Sequence, residues 1–173
     1  MSFKIPTFLI KKIFPPKKSV FTVDTTGDGK ADSLQIIGLN VIQPFTIPEN
    51  IDLGDFDLED FDLNDYGQVL LDEEPLDLSK QKINIQAIRE SLKVYHKGES
   101  YKIDEILGGK AGGKTIAMGD KLTILIKLDE ADLNKLTIGK HTITIEAENI
   151  PTLDINFELS ESNINLTFDP DST

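Results

Sequence analysis

The sequence contains no cysteine, a single arginine (Arg89) and no apolar run long enough to cross a bilayer. The lack of cysteine excludes disulfides, thiolate metal sites and a cysteine nucleophile. A membrane-spanning helix needs about 18 consecutive apolar residues. Stretches such as 122–126 are far shorter, so we expect no transmembrane segment. Lys11 and Lys12 interrupt the one candidate signal sequence, so we expect no export signal and a cytoplasmic location by default.

Basic residues are scarce outside the N-terminus. The net charge is −12, yet residues 1–23 contain five lysines and no acid. Residues 24–173 therefore carry 13 basic against 30 acidic residues, a net charge of −17. Nucleic-acid affinity depends mostly on basic residues that neutralise phosphates. We therefore expect no nucleic-acid binding by the body of the protein.

A short helix is predicted for residues 6–14. Pro6 suits a first helical turn, and two prolines follow the segment and end it. Phe8, Leu9 and Ile13 share one face. A helix this short is not stable alone. Its apolar face therefore docks on the domain or, alternatively, contacts a partner or a membrane surface peripherally.

From Ser19 onward, short runs rich in Val, Ile, Thr and Phe are separated by turn residues. Residues 140–146 alternate clearly, with His141, Ile143 and Ile145 on one face. This pattern predicts an all-β fold, an antiparallel β-sandwich of immunoglobulin-like or jelly-roll-like type, or a small barrel. The expected strands are 19–24, 33–42, 81–88, 91–96, 101–106, 121–128, 140–148, 152–160 and 163–168.

The predicted organisation is a basic amphipathic segment (1–18) followed by one β-sandwich domain (19–173). An acidic segment at 51–77 interrupts the strands with 11 acids and no base. It contains a near-repeat, residues 55–59 followed by 60–64. We interpret it as a long acidic loop or insertion, either a solvated face or a surface for a partner or cations.

Residues 24–32 form an acidic, glycine-containing loop with the ligand spacing of a calcium site. Counted from Asp24, side-chain oxygens fall at positions one, three, five and nine, and a glycine supplies the turn at position six. Calcium takes about six to eight oxygen ligands in flexible geometry. The predicted ligands of Ca2+ are Asp24, Thr26, Asp28, Lys30 through its carbonyl, and Asp32.

This loop differs from an EF-hand, because Gln35 stands where a bidentate glutamate is needed and both flanks are strand-like. It resembles the Asp-x-x-Gly-Asp-Gly-x-x-Asp loops of dockerins, thrombospondin repeats and integrin-type propeller blades. That resemblance implies calcium. Because one strong ligand is missing, we expect an affinity weaker than a sensor's. The alternative is a plain hairpin turn whose aspartates cap its amides.

A glycine-rich segment, residues 108–115, matches the P-loop pattern letter for letter. A P-loop needs a helix directly after it, so that helix amides surround the phosphates. Here a Gly119-Asp120 break and then a strand follow closely, so we expect a flexible loop and no nucleotide. His96 and His141 lie on predicted strands, and no serine has a Gly-x-Ser-x-Gly setting, so we expect no catalytic site.

The C-terminal half has the order strand, glycine turn, strand and Gly-Lys-His strand, in segments 92–98, 101–106, 118–124 and 136–145. This layout resembles the small β-sandwich subunits of C-glycoside deglycosidases and related uncharacterised archaeal proteins. The resemblance implies a sandwich fold and an accessory role beside a separate catalytic subunit. The N-terminal half departs from that family.

We therefore expect a non-catalytic binding or structural module with one calcium loop, which contacts a protein partner or self-associates. One alternative is an accessory subunit of an enzyme, which would co-purify with a larger partner. Another is a structural protein of a virion or cell surface. That alternative predicts self-assembly, with the basic N-terminus of one copy on the acidic segment of another.

Overall fold

Short strands dominate the structure, as the alternating sequence pattern predicts. The computed structural model describes residues 5–49, 67–76, 92–102, 105–106, 108–147 and 151–173. The helices that lie wholly within these residues are α1 (Thr7–Ile13) and α2 (Glu130–Lys135), with a 3-10 turn at Pro170–Ser172. The strands are β1 (Val20–Asp24), β2 (Ser33–Leu39), β3 (Phe45–Thr46), β4 (Gly67–Leu71), β5 (Glu74–Pro75), β6 (Leu92–His96), β7 (Glu99–Lys102), β8 (Thr115–Ile116), β9 (Lys121–Lys127), β10 (Gly139–Ala147), β11 (Leu153–Leu159) and β12 (Leu166–Thr167).

The described strands form three sheets. The largest has the order β12-β1-β2-β9-β6-β7, the second has the order β11-β10-β4-β5, and the third pairs β3 with β8. The pairings are antiparallel apart from that of β1 with β12, which is parallel. The predicted all-β fold with antiparallel sheets and a short N-terminal helix is therefore confirmed.

The main core lies between the six-stranded and the four-stranded sheet. Val20 and Leu34 from the larger sheet cluster with Ile143, Ile155 and Phe157 from the smaller, each no more than 2% exposed. Burying one such side chain contributes about 1.5–3 kcal/mol. The alternation predicted for residues 140–146 is confirmed, because Ile143 is buried while its neighbours along β10 face outward or are half-buried.

A second apolar cluster covers the outer face of the six-stranded sheet. Val23, Tyr95 and Leu125 pack there against Leu166 and Phe168 of the C-terminal segment. The Tyr95 and Phe168 rings meet edge-on, with centroids 5.1 Å apart and planes inclined by 63°. The C-terminal segment is thus part of the packed structure.

Helix α1 packs against β2 and β11. Ile10 is buried and Phe14 packs against the main core. The docking expected for this helix is therefore present, but the predicted apolar face was wrong in part, because Phe8 is 66% exposed. The Phe14 ring lies so near Gly38 that a Cβ there would be 3.1 Å from it.

Several features differ from the predicted elements, and the short strands β3 and β8 were not predicted. The strand expected at 101–106 begins earlier and ends at Lys102, and residues 105–106 are helical. The strand expected at 163–168 is reduced to β12. Helix α2 was not predicted; the Asp129 side chain caps it by accepting from the Asp132 amide at 2.8 Å.

The interpretation of 51–77 as a loop was wrong for its last part, because β4 and β5 belong to the four-stranded sheet and β4 pairs with β10. Residues 51–66 and the strand expected at 81–88 lie outside the described residues. In the part of the chain that is described, neither helix has the length and apolar character that a bilayer crossing requires.

Candidate functional site

Asp24, at the end of β1, anchors the β1–β2 loop through its carboxylate. Oδ1 accepts from the amides of Thr26 (2.9 Å) and Gly27 (2.7 Å), and Oδ2 accepts from the Gly29 amide (2.7 Å). Both glycines have positive φ, 81° and 86°, a conformation that favours glycine. Burial raises the pKa of Asp24, but the amide hydrogen bonds lower it more, so this pKa lies below its usual 3.8.

Asp32 lies at the other end of the loop, directly before β2. Its carboxylate accepts from the Thr25 hydroxyl (2.8 Å), the Thr25 amide (3.1 Å) and the Ser33 hydroxyl (2.5 Å). Burial raises the pKa of Asp32, and the charge on Asp24 raises it further. Hydrogen bonds from Ser33 and Thr25 lower this pKa by more, so it lies below its usual 3.8. The mouth of the loop therefore holds two ionised carboxylates close enough to repel each other.

The other predicted ligands lie at the exposed tip. The Thr26 hydroxyl donates to Asp24 Oδ1 at 3.1 Å, and Asp28 Oδ1 accepts from the Lys30 amide at 2.9 Å. The contacts expected for an amide-capped hairpin turn are thus present. The β1–β2 pairing also confirms that the loop closes a hairpin.

The loop as it stands differs from a preformed calcium site. Among the described residues, no group of three or more acidic, histidine or cysteine side chains is placed to hold a metal ion. Asp24 Oδ1 already accepts three hydrogen bonds, whereas Oδ2 accepts one. Coordination would use Asp24 Oδ2 and would require Asp28 and Asp32 to turn toward it, so calcium binding stays a prediction.

The C-terminal segment closes the loop from the side. Asn165 Nδ2 donates to the Gly29 carbonyl at 3.0 Å, and the Phe168 amide donates to the Asp24 carbonyl at 3.0 Å. The backbone amide of Asn165 donates to the Thr22 hydroxyl at 2.7 Å. Sequence reasoning missed these groups, because they lie more than 130 positions from the loop and carry no local signal.

Each histidine ties a strand to a neighbouring turn. His141 Nδ1 lies 2.6 Å from Asp72 Oδ2, and its Nε2 lies 2.6 Å from the Thr137 carbonyl oxygen. His96 Nε2 lies 3.0 Å from Asp120 Oδ2. Both rings are about nine-tenths buried. These contacts favour structural roles for the two histidines.

Asp120 is the centre of a small charged cluster. Its Oδ2 accepts from the Lys97 ammonium at 3.0 Å and from the Ala117 amide at 2.9 Å, beside the His96 contact. The Lys97 hydrogen bond, followed by those of His96 and Ala117, lowers the pKa of Asp120 to about 2. The cluster fixes the turn between β8 and β9.

The glycine-rich segment 108–115 does not form a phosphate cradle. Strand β8, not a helix, begins at its last residue. The Gly113 amide donates to the Ile47 carbonyl at 2.9 Å. The Lys114 ammonium pairs with Glu99. The amide and the lysine that would bind phosphate in a P-loop are therefore engaged within the chain.

Three large apolar side chains are exposed on two neighbouring segments, one leading into strand β3 and one following strand β8. Ile42, Phe45 and Met118 are 62%, 46% and 65% exposed; we call them the apolar cap. Asn40 Nδ2 joins the segments by donating to the Ile116 carbonyl at 3.1 Å, and Phe45 pairs with Ile116 across β3 and β8. Hydrogen bonds thus connect the two segments that carry the apolar cap.

No protein-family model and no curated protein matches the chain. The resemblance of the C-terminal half to the small deglycosidase subunits, and that of the loop to dockerin-type calcium loops, stay predictions.

Proposed function

We propose that this protein is a non-catalytic binding module that works through contact with another protein. The observation that carries this proposal is the apolar cap. Large apolar side chains exposed on neighbouring segments are a feature of interaction sites, and aromatic residues and methionine are enriched in interface cores. The Asn40 hydrogen bonds hold this surface in place before a partner arrives, which lowers the ordering cost of binding.

The histidine contacts support a non-catalytic role. A general base must reach the proton that it abstracts from a substrate. His141 has both ring nitrogens against oxygens of its own chain, and His96 has Nε2 on a carboxylate. Among the described residues, neither imidazole forms a hydrogen bond to a serine or threonine hydroxyl or to a lysine amine.

Two kinds of partner fit the proposal. An accessory subunit would bind a different, larger protein in fixed stoichiometry. A structural protein of a virion or cell surface would bind further copies of itself. The mass of the complex separates the two.

The test is affinity purification of the tagged full chain from its native source, followed by native mass spectrometry. We expect a stoichiometric complex for the wild type, lost in the double variant Ile42→Asn with Met118→Gln. The matched control is Ile138→Asn, because Ile138 is similarly exposed (58%) outside the apolar cap. A complex that survives the double variant at 500 mM NaCl, or a wild type that stays monomeric without a partner, would overturn the proposal.

A second proposed function is calcium binding by the β1–β2 loop. It is favoured by the two carboxylates at the loop mouth, Asp24 and Asp32, whose mutual repulsion a cation would relieve. The proposed ligands are Asp24, Thr26, Asp28, the Lys30 carbonyl and Asp32. A ligand at 100 times its Kd stabilises a protein by about 2.7 kcal/mol.

The test is thermal melting of the full chain in EDTA, magnesium and increasing calcium. We expect calcium alone to raise the Tm by several degrees, and Asp28→Ala to remove that rise while leaving the Tm in EDTA unchanged. Asp171→Ala is the control, because it removes an exposed carboxylate that is not among the proposed ligands. A Tm that does not respond to calcium, or that responds equally in Asp28→Ala, would refute calcium binding here.

A further inference from the structure

The outer face of the four-stranded sheet carries a regular polar ladder. The alternation of β10 and β11 places Thr142 and Thr144 opposite Asn156 and Asp154. The Thr144 hydroxyl donates to Asp154 Oδ1 at 2.8 Å, and the Thr142 hydroxyl donates to Asn156 Oδ1 at 2.9 Å. The threonine protons are thus turned away from solvent, and the oxygen atoms that remain accessible are mainly acceptors.

The β4–β5 turn borders this ladder and makes it concave. Asp72 and Glu73 form the turn with positive φ angles of 51° and 71°. Between the turn and the strands lies a groove of about 420 Å³, which we call the acidic groove. Its lining residues are Asp72, Glu73, Thr142, Thr144, Asp154 and Asn156.

The charge of the acidic groove is not neutralised by the described part of the chain. Asp72 contacts His141, but no lysine among the described residues forms an ion pair with Glu73 or Asp154. Carboxylates and hydroxyl lone pairs match the three donors of an ammonium group. The chemistry of the groove therefore selects lysine side chains.

The chain carries such lysines beside this same sheet. The N-terminal segment runs along the edge strand β11, where the Glu158 amide donates to the Pro16 carbonyl at 2.8 Å and Lys17 lies 3.8 Å from Glu158. Lys11 and Lys12 are exposed and have no acidic partner among the described residues. The lysine-bearing segment and the acidic groove thus both border strand β11.

We propose that the acidic groove binds the lysines of residues 7–18 of a second copy of this chain, and that the contact is reciprocal. A two-fold interface is self-complementary, since each copy contributes both halves of the contact. The positions of the two surfaces beside one sheet allow each copy to offer its lysines while accepting those of its partner. This deepens the proposed binding role by naming a partner, and it uses a surface separate from the apolar cap.

The contact is electrostatic and therefore depends on salt. The Debye length falls from about 30 Å at 0.01 M to about 8 Å at 0.15 M ionic strength. Each body is strongly acidic, so the lysines must overcome a general repulsion. We expect a weak dimer that dissociates at high salt, in contrast to a complex formed through the apolar cap.

The proposal is tested by reversing the charges of the lysines in one variant and of the groove in another. Sedimentation velocity of the full chain at 20 mM and 500 mM NaCl measures the association. One variant carries Lys11→Glu and Lys12→Glu, and the other carries Glu73→Lys and Asp154→Lys. We expect each to weaken self-association at least tenfold, and an equimolar mixture to form heterodimers. The control for the first variant is Lys121→Glu with Lys127→Glu. It changes the net charge by the same amount on β9 and should leave the dimer intact.

Several results would overturn the proposal. These are a wild type that is monomeric at both salt concentrations, a dimer that survives both exchanges, and a mixture that fails to associate. Spermidine is titrated as a small cation. Its binding to a monomer, with loss in the groove variant, would instead assign the groove to a polyamine. Thermal melting checks that each variant folds, and loss of the Ile42/Met118-dependent complex is scored separately.

Discussion

Asn163 is predicted to be a main link between the two large sheets. Its Nδ2 donates to the Val20 carbonyl of β1 at 3.3 Å and to the Glu158 carbonyl of β11 at 3.0 Å, and its Oδ1 accepts from the Ser160 amide. The residue is 2% exposed, so water cannot readily replace these bonds. One side chain thus satisfies backbone groups of both layers of the sandwich.

Asn163→Ala should lower the free energy of unfolding by about 3 kcal/mol, because the three hydrogen bonds of this side chain to backbone groups are lost and each typically contributes about 1 kcal/mol. For a chain of this size that corresponds to a fall in Tm of roughly 6–12 °C. Asn163→Asp should cost more at neutral pH, since a carboxylate would face two carbonyl oxygens. That variant should recover in part as acid protonates it.

Urea unfolding followed by circular dichroism measures both variants. Asn134→Ala is the control, because Asn134 lies exposed on α2, where alanine favours the helix. We expect its stability to stay within about 0.5 kcal/mol of the wild type. A loss below about 1 kcal/mol for Asn163→Ala, or an aspartate variant as stable as the alanine variant at pH 7, would show that Asn163 does not link the sheets.

Two further predictions concern close packing and acid stability. Gly112→Ala should destabilise the protein by about 1–3 kcal/mol, because its Cβ would lie 2.5 Å from the Glu49 Cα. Gly38→Ala should cost less in the same urea assay, because its Cβ would meet side-chain atoms, the nearest in the Phe14 ring at 3.1 Å, and no backbone. Asp120, held at a pKa of about 2 mainly by Lys97, contributes stability above pH 3.8 that is lost as the pH falls through 2. Asp120→Asn should therefore flatten the dependence of stability on pH between 4 and 2, and an unchanged slope would contradict this.

Local periodicity was sufficient to predict most of the strands. A strand with one buried face must alternate with period two, as residues 140–146 do, and this signal is contained in neighbouring residues. The hairpin at 24–32 could be predicted in the same way, because Gly27 and Gly29 mark positions of positive φ. These features depend on backbone sterics within a few residues.

Contacts between residues that are distant in sequence could not be predicted from local sequence patterns. Strand β4 lies in an acidic stretch whose composition indicated a loop, and its pairing with β10 stabilises it as a strand. Likewise Phe8 and Ile10 are both apolar, yet Ile10 is buried and Phe8 is exposed. A two-turn helix can expose different faces, and the position of the sheets decides which one packs.

The sequence alone determined most of the longer strands, the hairpin with its two end carboxylates, and the separation of a basic N-terminus from an acidic body. Only the tertiary structure decided that the carboxylates of Asp24 and Asp32 bind amides and hydroxyls, that Asn165 closes their loop, and that the acidic groove lies beside the lysine-bearing segment. The reason is physical: dihedral preference and alternation act over a few bonds, whereas hydrogen bonds and charge neighbours form wherever packing brings distant segments together.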